Sequence, residues 1–229
     1  LYSGAVDSNL TANYFTNFGT VTLGHHNTIR SFSAYGNLVV IGDNSVDTLY
    51  LDSDCHSYLQ DPGMTMTINN VFNVNAGSCS NFIEIKCSNA GQQTNFFQSN
   101  GNAVYLFHVD LQGINASGAN FVADQSINSG GNTGIAINSP APRTLYWIGG
   151  GGVWQDTMHW SLTSGGPNIS CTPSAVDDVI FDLNSGIAGQ TINSDLDKIS
   201  VNSLVMNGAG ANITFELGTL SVNTSLLLE

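Results

Sequence analysis

Three tryptophans, Trp147, Trp154 and Trp160, fall within fourteen residues and are the only tryptophans in the 229-residue chain. Exposed indole rings stack on the apolar faces of pyranose sugars, so the cluster is a candidate glycan-binding surface. The better reading is that the rings cap the end of a β coil and shield its first rung from water, because each large aromatic buries about 150–250 Å². A second group is acidic: Asp43, Asn44, Asp47, Asp52 and Asp54 lie within twelve residues. Carboxylate and amide oxygens suit a hard cation such as calcium. No D-x-D-x-D-G loop or glycine-rich nonapeptide run accompanies them. A solvated acidic loop accounts for these residues, and no cofactor is expected, calcium being the one candidate.

Enzymatic chemistry finds little support. A polysaccharide lyase needs a cation to hold the uronate and a base to take its proton. Only four basic residues are present, Arg30, Lys86, Arg143 and Lys198, and only Lys198, beside Asp195 and Asp197, reads as neighbouring an acidic cluster on a strand. A glycosidase needs two carboxyl groups about 5–9.5 Å apart. Asp177 and Asp178 are adjacent and on a strand point to opposite faces. Asp178 and Asp182 alternate with Val179 and Phe181 and read as solvent-facing or turn-capping groups. His25 and His26, if extended, also face opposite ways, and His108 reads as a strand end. There is no Gly-x-Ser-x-Gly elbow. The chain is expected not to be an enzyme.

Cys55, Cys79, Cys87 and Cys171 lack the paired spacing of a zinc cluster. A Cys79–Cys87 or Cys55–Cys79 bridge suits an oxidising compartment and leaves Cys171 unpaired. The alternative is that these are buried free thiols. Five N-x-S/T sequons, at Asn9, Asn115, Asn168, Asn212 and Asn223, are accounted for by the abundance of Asn.

These groups must be held by β structure. Only 9% of residues are charged, against about 25% in an average soluble domain. Asn, Ser, Thr and Gly take the vacated places, and their side chains favour turns over helix interiors. Apolar residues alternate in short bursts such as Val21-Thr22-Leu23, Leu49-Tyr50-Leu51 and Phe82-Ile83-Glu84-Ile85, bounded by Gly, Asn, Asp or Ser. Phe15-Thr16-Asn17-Phe18-Gly19-Thr20-Val21-Thr22-Leu23 realigns seventeen residues later at Phe32-Ser33-Ala34-Tyr35-Gly36-Asn37-Leu38-Val39-Val40. Weaker echoes begin at Phe97 and Phe215. One copy cannot bury its own apolar face, whereas stacked copies share a core, and corner Asn residues can ladder along the stack. The sequence therefore predicts an all-β parallel β-helix of repeats. The alternative is a pair of antiparallel sandwiches, for which hairpin dipeptides are scarce.

Ser139-Pro140-Ala141-Pro142 is the densest proline cluster, and proline blocks a continuing ladder. It places the end of one solenoid unit at 1–138 and the opening and first rungs of the next at 139–229. Net charge is −13. Nucleic acid and anionic membrane surfaces are excluded as partners, because both are bound through clustered Lys and Arg. No run approaches the roughly 18 apolar residues of a membrane span. The termini, Leu1-Tyr2-Ser3-Gly4 and Leu226-Leu227-Leu228-Glu229, read as cut from something longer.

From Tyr146 to Asp182 the sequence resembles a module that opens β-helical units in giant secreted repeat proteins, of adhesin or gliding type, on the surface of Bacteroidetes-type bacteria. The shared pattern is W-x-G-G-x-G-x-W-x-D-x-x-x-W-S, a proline turn and D-x-V-x-F-D. Here it is carried by Trp147, Gly149-Gly150, Gly152, Trp154, Asp156, Trp160-Ser161, Pro173 and Asp178-Val179-Ile180-Phe181-Asp182. The resemblance implies a secreted, extracellular or cell-surface role in adhesion, motility or matrix, with the solenoid as stalk and no catalytic residues. Partners implied are neighbouring repeats or like subunits stacked end to end, and surface glycans. Relatives often carry a second Cys after the D-x-V-x-F-D element, where this chain reads Asp197-Lys198-Ile199-Ser200. Asp47-Thr48-Leu49 and Asp156-Thr157-Met158 resemble the O-glycosylation sites of the same bacteria, making Thr48 and Thr157 candidates.

Overall fold

Short alternating strands with Gly or Asn at their ends close most compactly when each turn of chain lies in register on the one before. A computed structural model, which describes residues 4–6, 8–53, 55–76, 82–194, 198–208, 214–216 and 218–228, has this architecture. It is 57% strand and 3% helix, with parallel sheets stacked as a β-solenoid of about 10 turns. Among the described residues the one antiparallel strand pair is Tyr146↔Ser161 and Trp147↔Trp160, extended by the isolated bridge Ser161↔Asn168. The antiparallel sandwich is thereby excluded. No helix among the described residues is long and apolar enough to cross a membrane. Packing divides the chain into two units, Leu1–Pro140 and Ala141–Glu229.

In the first unit one sheet stacks Gly4–Val6, Val21–Leu23, Leu38–Val40, Ser57–Gln60, Ile83–Cys87, Val109–Gln112 and Ile127–Asn128. A second stacks Thr11–Asn17, Asn27–Ala34, Asn44–Asp52, Thr65–Asn75, Thr94–Gln98 and Ile114–Ser117. A third joins Val104–Phe107, Phe121–Asp124 and Ile135–Asn138. The seventeen-residue repeat is the rung: Phe15 pairs with Phe32, and Val21 with Leu38. Inserted residues lengthen later rungs, so Leu38 pairs with Tyr58 and Tyr58 with Ile85, before Val104 and Phe121 restore the short step.

Register puts like side chains in columns. Ile29, Val46 and Ile68 form one inward column and Phe32, Leu49 and Phe72 another, all buried. Each large side chain so buried contributes about 1.5–3 kcal/mol. The echo at Phe97 is corrected: Phe97 pairs with Thr67 and is 40% exposed, whereas Phe96 enters the core and stacks on Phe72 at 5.4 Å. A one-residue offset reverses the face of every side chain in a strand.

The corners are polar and bonded from rung to rung. Asn27 Oδ1 accepts the Leu10 N–H at 2.8 Å, and Asn44 Oδ1 accepts the Asn27 N–H at 2.9 Å. Asn44 Nδ2 donates to the Gly24 and Gly42 carbonyls, each at 2.8 Å. Gly36 is required by proximity, since a Cβ there would lie 2.2 Å from the Gly19 carbonyl oxygen.

The second unit has a sheet ordered Trp160–Ser161, Thr144–Trp147, Asp178–Phe181, Lys198–Met206 and Thr219–Leu228. Another stacks Gly152–Val153, Thr191–Asn193 and Thr214–Glu216. Its core gathers the three tryptophans with Leu145, Val179, Phe181, Ile187 and Ile192.

Asn44→Ala is expected to lower unfolding free energy by about 3 kcal/mol, because a buried group left unbonded costs about 1–3 kcal/mol. Asn69→Ala, whose amide bonds outward to Ser45 and Asp47, is expected to change it by less than about 0.5 kcal/mol. Urea unfolding of both variants checks the pair.

Candidate functional site

The glycine-rich run between Trp147 and Trp154 is dictated by what it wraps. Gly149 and Gly150 have φ of +87° and +85°, values that glycine reaches without strain. They turn the chain so that the Gly150 carbonyl accepts the Trp147 indole N–H at 2.5 Å. A Cβ at Gly152 would lie 2.3 Å from His159 Nε2. His159 stacks on Trp147 with centroids 4.5 Å apart and planes 2° apart, and its Nδ1 lies 2.7 Å from the Ile148 carbonyl. Trp160 donates to the Trp154 carbonyl at 2.8 Å and crosses Trp147 and Trp154 edge to face. Trp147, Trp154 and Trp160 are 0%, 2% and 0% exposed. They are core residues with no open ring face to offer a sugar.

Below this cluster, Asp177 is fully buried and bonded on both oxygens. Its Oδ1 accepts the Arg143 backbone N–H and Nε at 3.0 Å, and its Oδ2 accepts Arg143 Nη2 at 2.6 Å. The Ser174 backbone N–H and hydroxyl add bonds at 2.8 and 2.9 Å to Oδ2. This arrangement pins the segment before Thr144–Trp147 to the turn before Asp178–Phe181, and leaves neither carboxylate oxygen free to take a proton from a ligand. Asp178 accepts from Asn202 and Ser203, and Asp182 caps the short turn Leu183–Ser185.

The cysteines differ from expectation. Cys171 is disulfide-bonded rather than unpaired, and Arg143 Nη1 lies 3.3 Å from its sulfur. Cys55 and Cys87 are free and buried, so neither proposed bridge forms; Cys79 lies outside the described residues. Burial pushes the Cys55 thiol up to about 12, partly offset by its hydrogen bond to the Ser57 carbonyl, and keeps it protonated. Cysteine spacing alone does not encode connectivity.

Sequence reading missed one constellation. Lys86 Nζ sits 2.9 Å from Glu84 Oε1 and 2.8 Å from Asp110 Oδ2, on the outer face of the first sheet. Glu84 precedes it by two residues on the same strand, which puts both on one face. Asp110 is brought by the next rung, where it pairs with Glu84. Burial alone would lower the Lys86 pKa, but the Asp110 and Glu84 carboxylates outweigh it and raise the value. An ammonium so held is a poor base. The Lys198 side chain, Asp195 and Asp197 lie outside the described residues.

Among the described residues the acidic group does not gather at one point. Asn44 belongs to the buried ladder, Asp43 accepts the Thr65 N–H at 2.6 Å, and Asp47 accepts from Asn69 at 3.2 Å. Asp52 accepts the Tyr50 hydroxyl at 2.9 Å, and Asp54 lies outside the described residues. His26 is not extended: its φ is +57° at a corner, and its ring lies 6.0 Å from that of His25. His108, with φ of +53°, turns the chain between Val104–Phe107 and Val109–Gln112. Thr48 is half-buried on Asn44–Asp52, and Thr157 opens the short turn capped by Asp156.

Trp154→Ala is expected to destabilise by about 3–5 kcal/mol, the cost of emptying a large aromatic site. Leu183→Ala, at 81% exposure, is expected to be silent; thermal melts followed by near-ultraviolet dichroism compare the two. Lys86→Met is expected to lower stability, and the gap has a defined pH dependence. Because the folded-state pKa is raised, the contribution is fully present below the ordinary lysine value of 10.5. It is lost as pH rises above that value and the ammonium deprotonates, which urea unfolding of wild type and variant across alkaline pH reads directly. No family model, curated protein or solved structure matches the chain.

Proposed function

We propose that these residues form a non-catalytic structural and adhesive segment of a large secreted bacterial cell-surface or filament protein. The observation that carries this reading is the in-register solenoid, in which each rung is bonded to the next by backbone, core columns and corner amides. Within each unit such stacking transmits load from rung to rung and presents regular faces. The carboxylates best placed for acid–base work are engaged elsewhere: Asp177 by Arg143, and Glu84 and Asp110 by Lys86. The disulfide at Cys171 suits an oxidising, extracytoplasmic compartment. The resemblance of the Trp147–Asp182 segment to the opening module of secreted surface repeats points the same way.

A second reading, a glycan-binding adhesin, rests on aromatics other than the tryptophans. Tyr14 and Tyr105 are 76% and 67% exposed on outer sheet faces, where flat rings are available to sugars. The two readings separate on a glycan array and a panel of uronate and β-glucan polymers. A stalk gives neither binding nor turnover. Saturable binding that disappears in Tyr105→Ala, with the fold intact, establishes the adhesin, and release of reducing ends from any polymer overturns the non-catalytic reading.

A further inference from the structure

Asp61-Pro62 is the only Asp-Pro step in the chain. It falls in the first unit, at a corner between the strands Ser57–Gln60 and Thr65–Asn75. Asp61, Pro62, Gly63 and Met64 form a tight turn there. The Met64 N–H points at the Asp61 carbonyl oxygen, 3.3 Å away, and Gly63 has a φ of +75°. Proline in the second place and glycine at positive φ in the third are the residues such a turn requires. Asp61 and Pro62 are half-buried, Gly63 is exposed, and a Cβ on Gly63 would meet nothing within 4 Å. Water therefore reaches the corner. Ser88, on the following rung, donates its hydroxyl to Asp61 Oδ1 at 2.7 Å. Asp61 Oδ2 accepts no hydrogen bond among the described residues.

A carboxylate beside its own peptide carbonyl is an internal nucleophile. Asp61 Oδ2 closing on the Asp61 carbonyl carbon forms a cyclic anhydride as the bond from that carbon to the Pro62 nitrogen breaks. The bonding pair leaves on the Pro62 nitrogen, which takes a proton from the acid medium. One water then opens the anhydride, restoring the Asp61 side chain and leaving a new terminal carboxylate on Asp61. Proline favours the step, because its nitrogen is released as a basic secondary amine and carries no N–H to tie it into a ladder. The Met64 N–H faces the oxygen on which negative charge develops, as a donor must to stabilise that charge.

We propose that the Asp61–Pro62 bond is an acid-driven self-cleavage site, and that the nicked chain stays assembled. Exposed turn tips are where a broken backbone is best tolerated. Each side of this bond is tied down separately. The Asp61 N–H donates to the Val40 carbonyl at 2.9 Å, and the Gly63 N–H to the Gln93 carbonyl at 2.8 Å. Ser57–Gln60 pairs with Ile83–Cys87, and Asn44–Asp52 with Thr65–Asn75. The buried columns also cross the nick, Val46 against Ile68 and Leu49 against Phe72. Cleavage thus replaces the covalent link between residues 1–61 and 62–229 by a contact of ladders and core, which denaturant parts and native buffer does not.

The test holds the whole 229-residue chain at about pH 4, in the range where aspartyl carboxyls titrate, beside a sample kept at neutral pH. Denaturing electrophoresis of the acid sample is expected to lose the full chain and gain two fragments, identified by mass as 1–61 and 62–229. Light scattering of the same sample, undenatured, is expected to report the mass of the whole chain still. Asp61→Asn lacks the nucleophile and Asp61→Glu must close a larger, slower ring, so both are expected to stay intact. Absence of the cut in the folded chain, whether or not urea restores it, overturns the proposal. So does a cut at another bond, or one that persists in Asp61→Asn. Fragments that part without denaturant overturn the claim that the nicked chain stays assembled. Far-ultraviolet dichroism of the uncut Asp61→Asn chain reads the fold at the same pH, and loss of its β signal there overturns that claim equally.

Discussion

In a parallel solenoid every side chain has the corresponding residue of the next rung directly above it, one strand spacing, about 4.8 Å, away. That constraint governs the rest of the molecule. An apolar residue facing inward must be followed by another of compatible size, which is why Phe32 lies between Phe15 and Leu49. A polar residue facing inward must find its bonds from the rungs above and below. Asn27 and Asn44 do so, each amide serving the backbone of its neighbour, so that burying them costs little. Where Gly36 passes over Gly19, the same spacing leaves no room for a Cβ.

The constraint also decides the fate of charge. Like charges stacked a rung apart repel, and a chain with four cations has few means of relief. Lys86 is placed between Glu84 and Asp110, where it serves two carboxylates. Arg143 is folded over Asp177, the one fully buried carboxylate among the described residues. Asp43, Asp47, Asp52, Asp61 and Asp124 bond to hydroxyls, amides and a backbone N–H. Groups committed in this way hold rungs together.

Much of this was legible in the sequence where rungs were short. The repeat of Phe15 at Phe32 gave both the period and the inward face, and the alternation of Leu49, Tyr50 and Leu51 gave the strands. Legibility failed where residues were inserted, because the register then shifts without leaving a fixed period: Phe97 looked like an inward repeat while Phe96 took that role. The tryptophan segment was readable as a motif, but its antiparallel pairing and the burial of all three rings depend on the turn at Gly149-Gly150 and on His159. Contacts across long intervals, Arg143 with Asp177 and Lys86 with Asp110, carry no local signature. Neither does the disulfide at Cys171, since spacing does not reveal which sulfurs meet.

The in-register parallel stack is tested most directly by cysteine pairs on the outer face of neighbouring rungs. Thr28 and Ser45 are register partners, and a strand spacing lies within the Cα separation of about 4.4–6.8 Å that a disulfide spans. Thr28→Cys with Ser45→Cys should therefore oxidise rapidly to an intramolecular bridge. Thr28→Cys with Asp47→Cys, two residues further along the same face, should not. Rapid bridging of the second pair, or of Ser33→Cys with Ser45→Cys as an antiparallel hairpin would require, would contradict the solenoid.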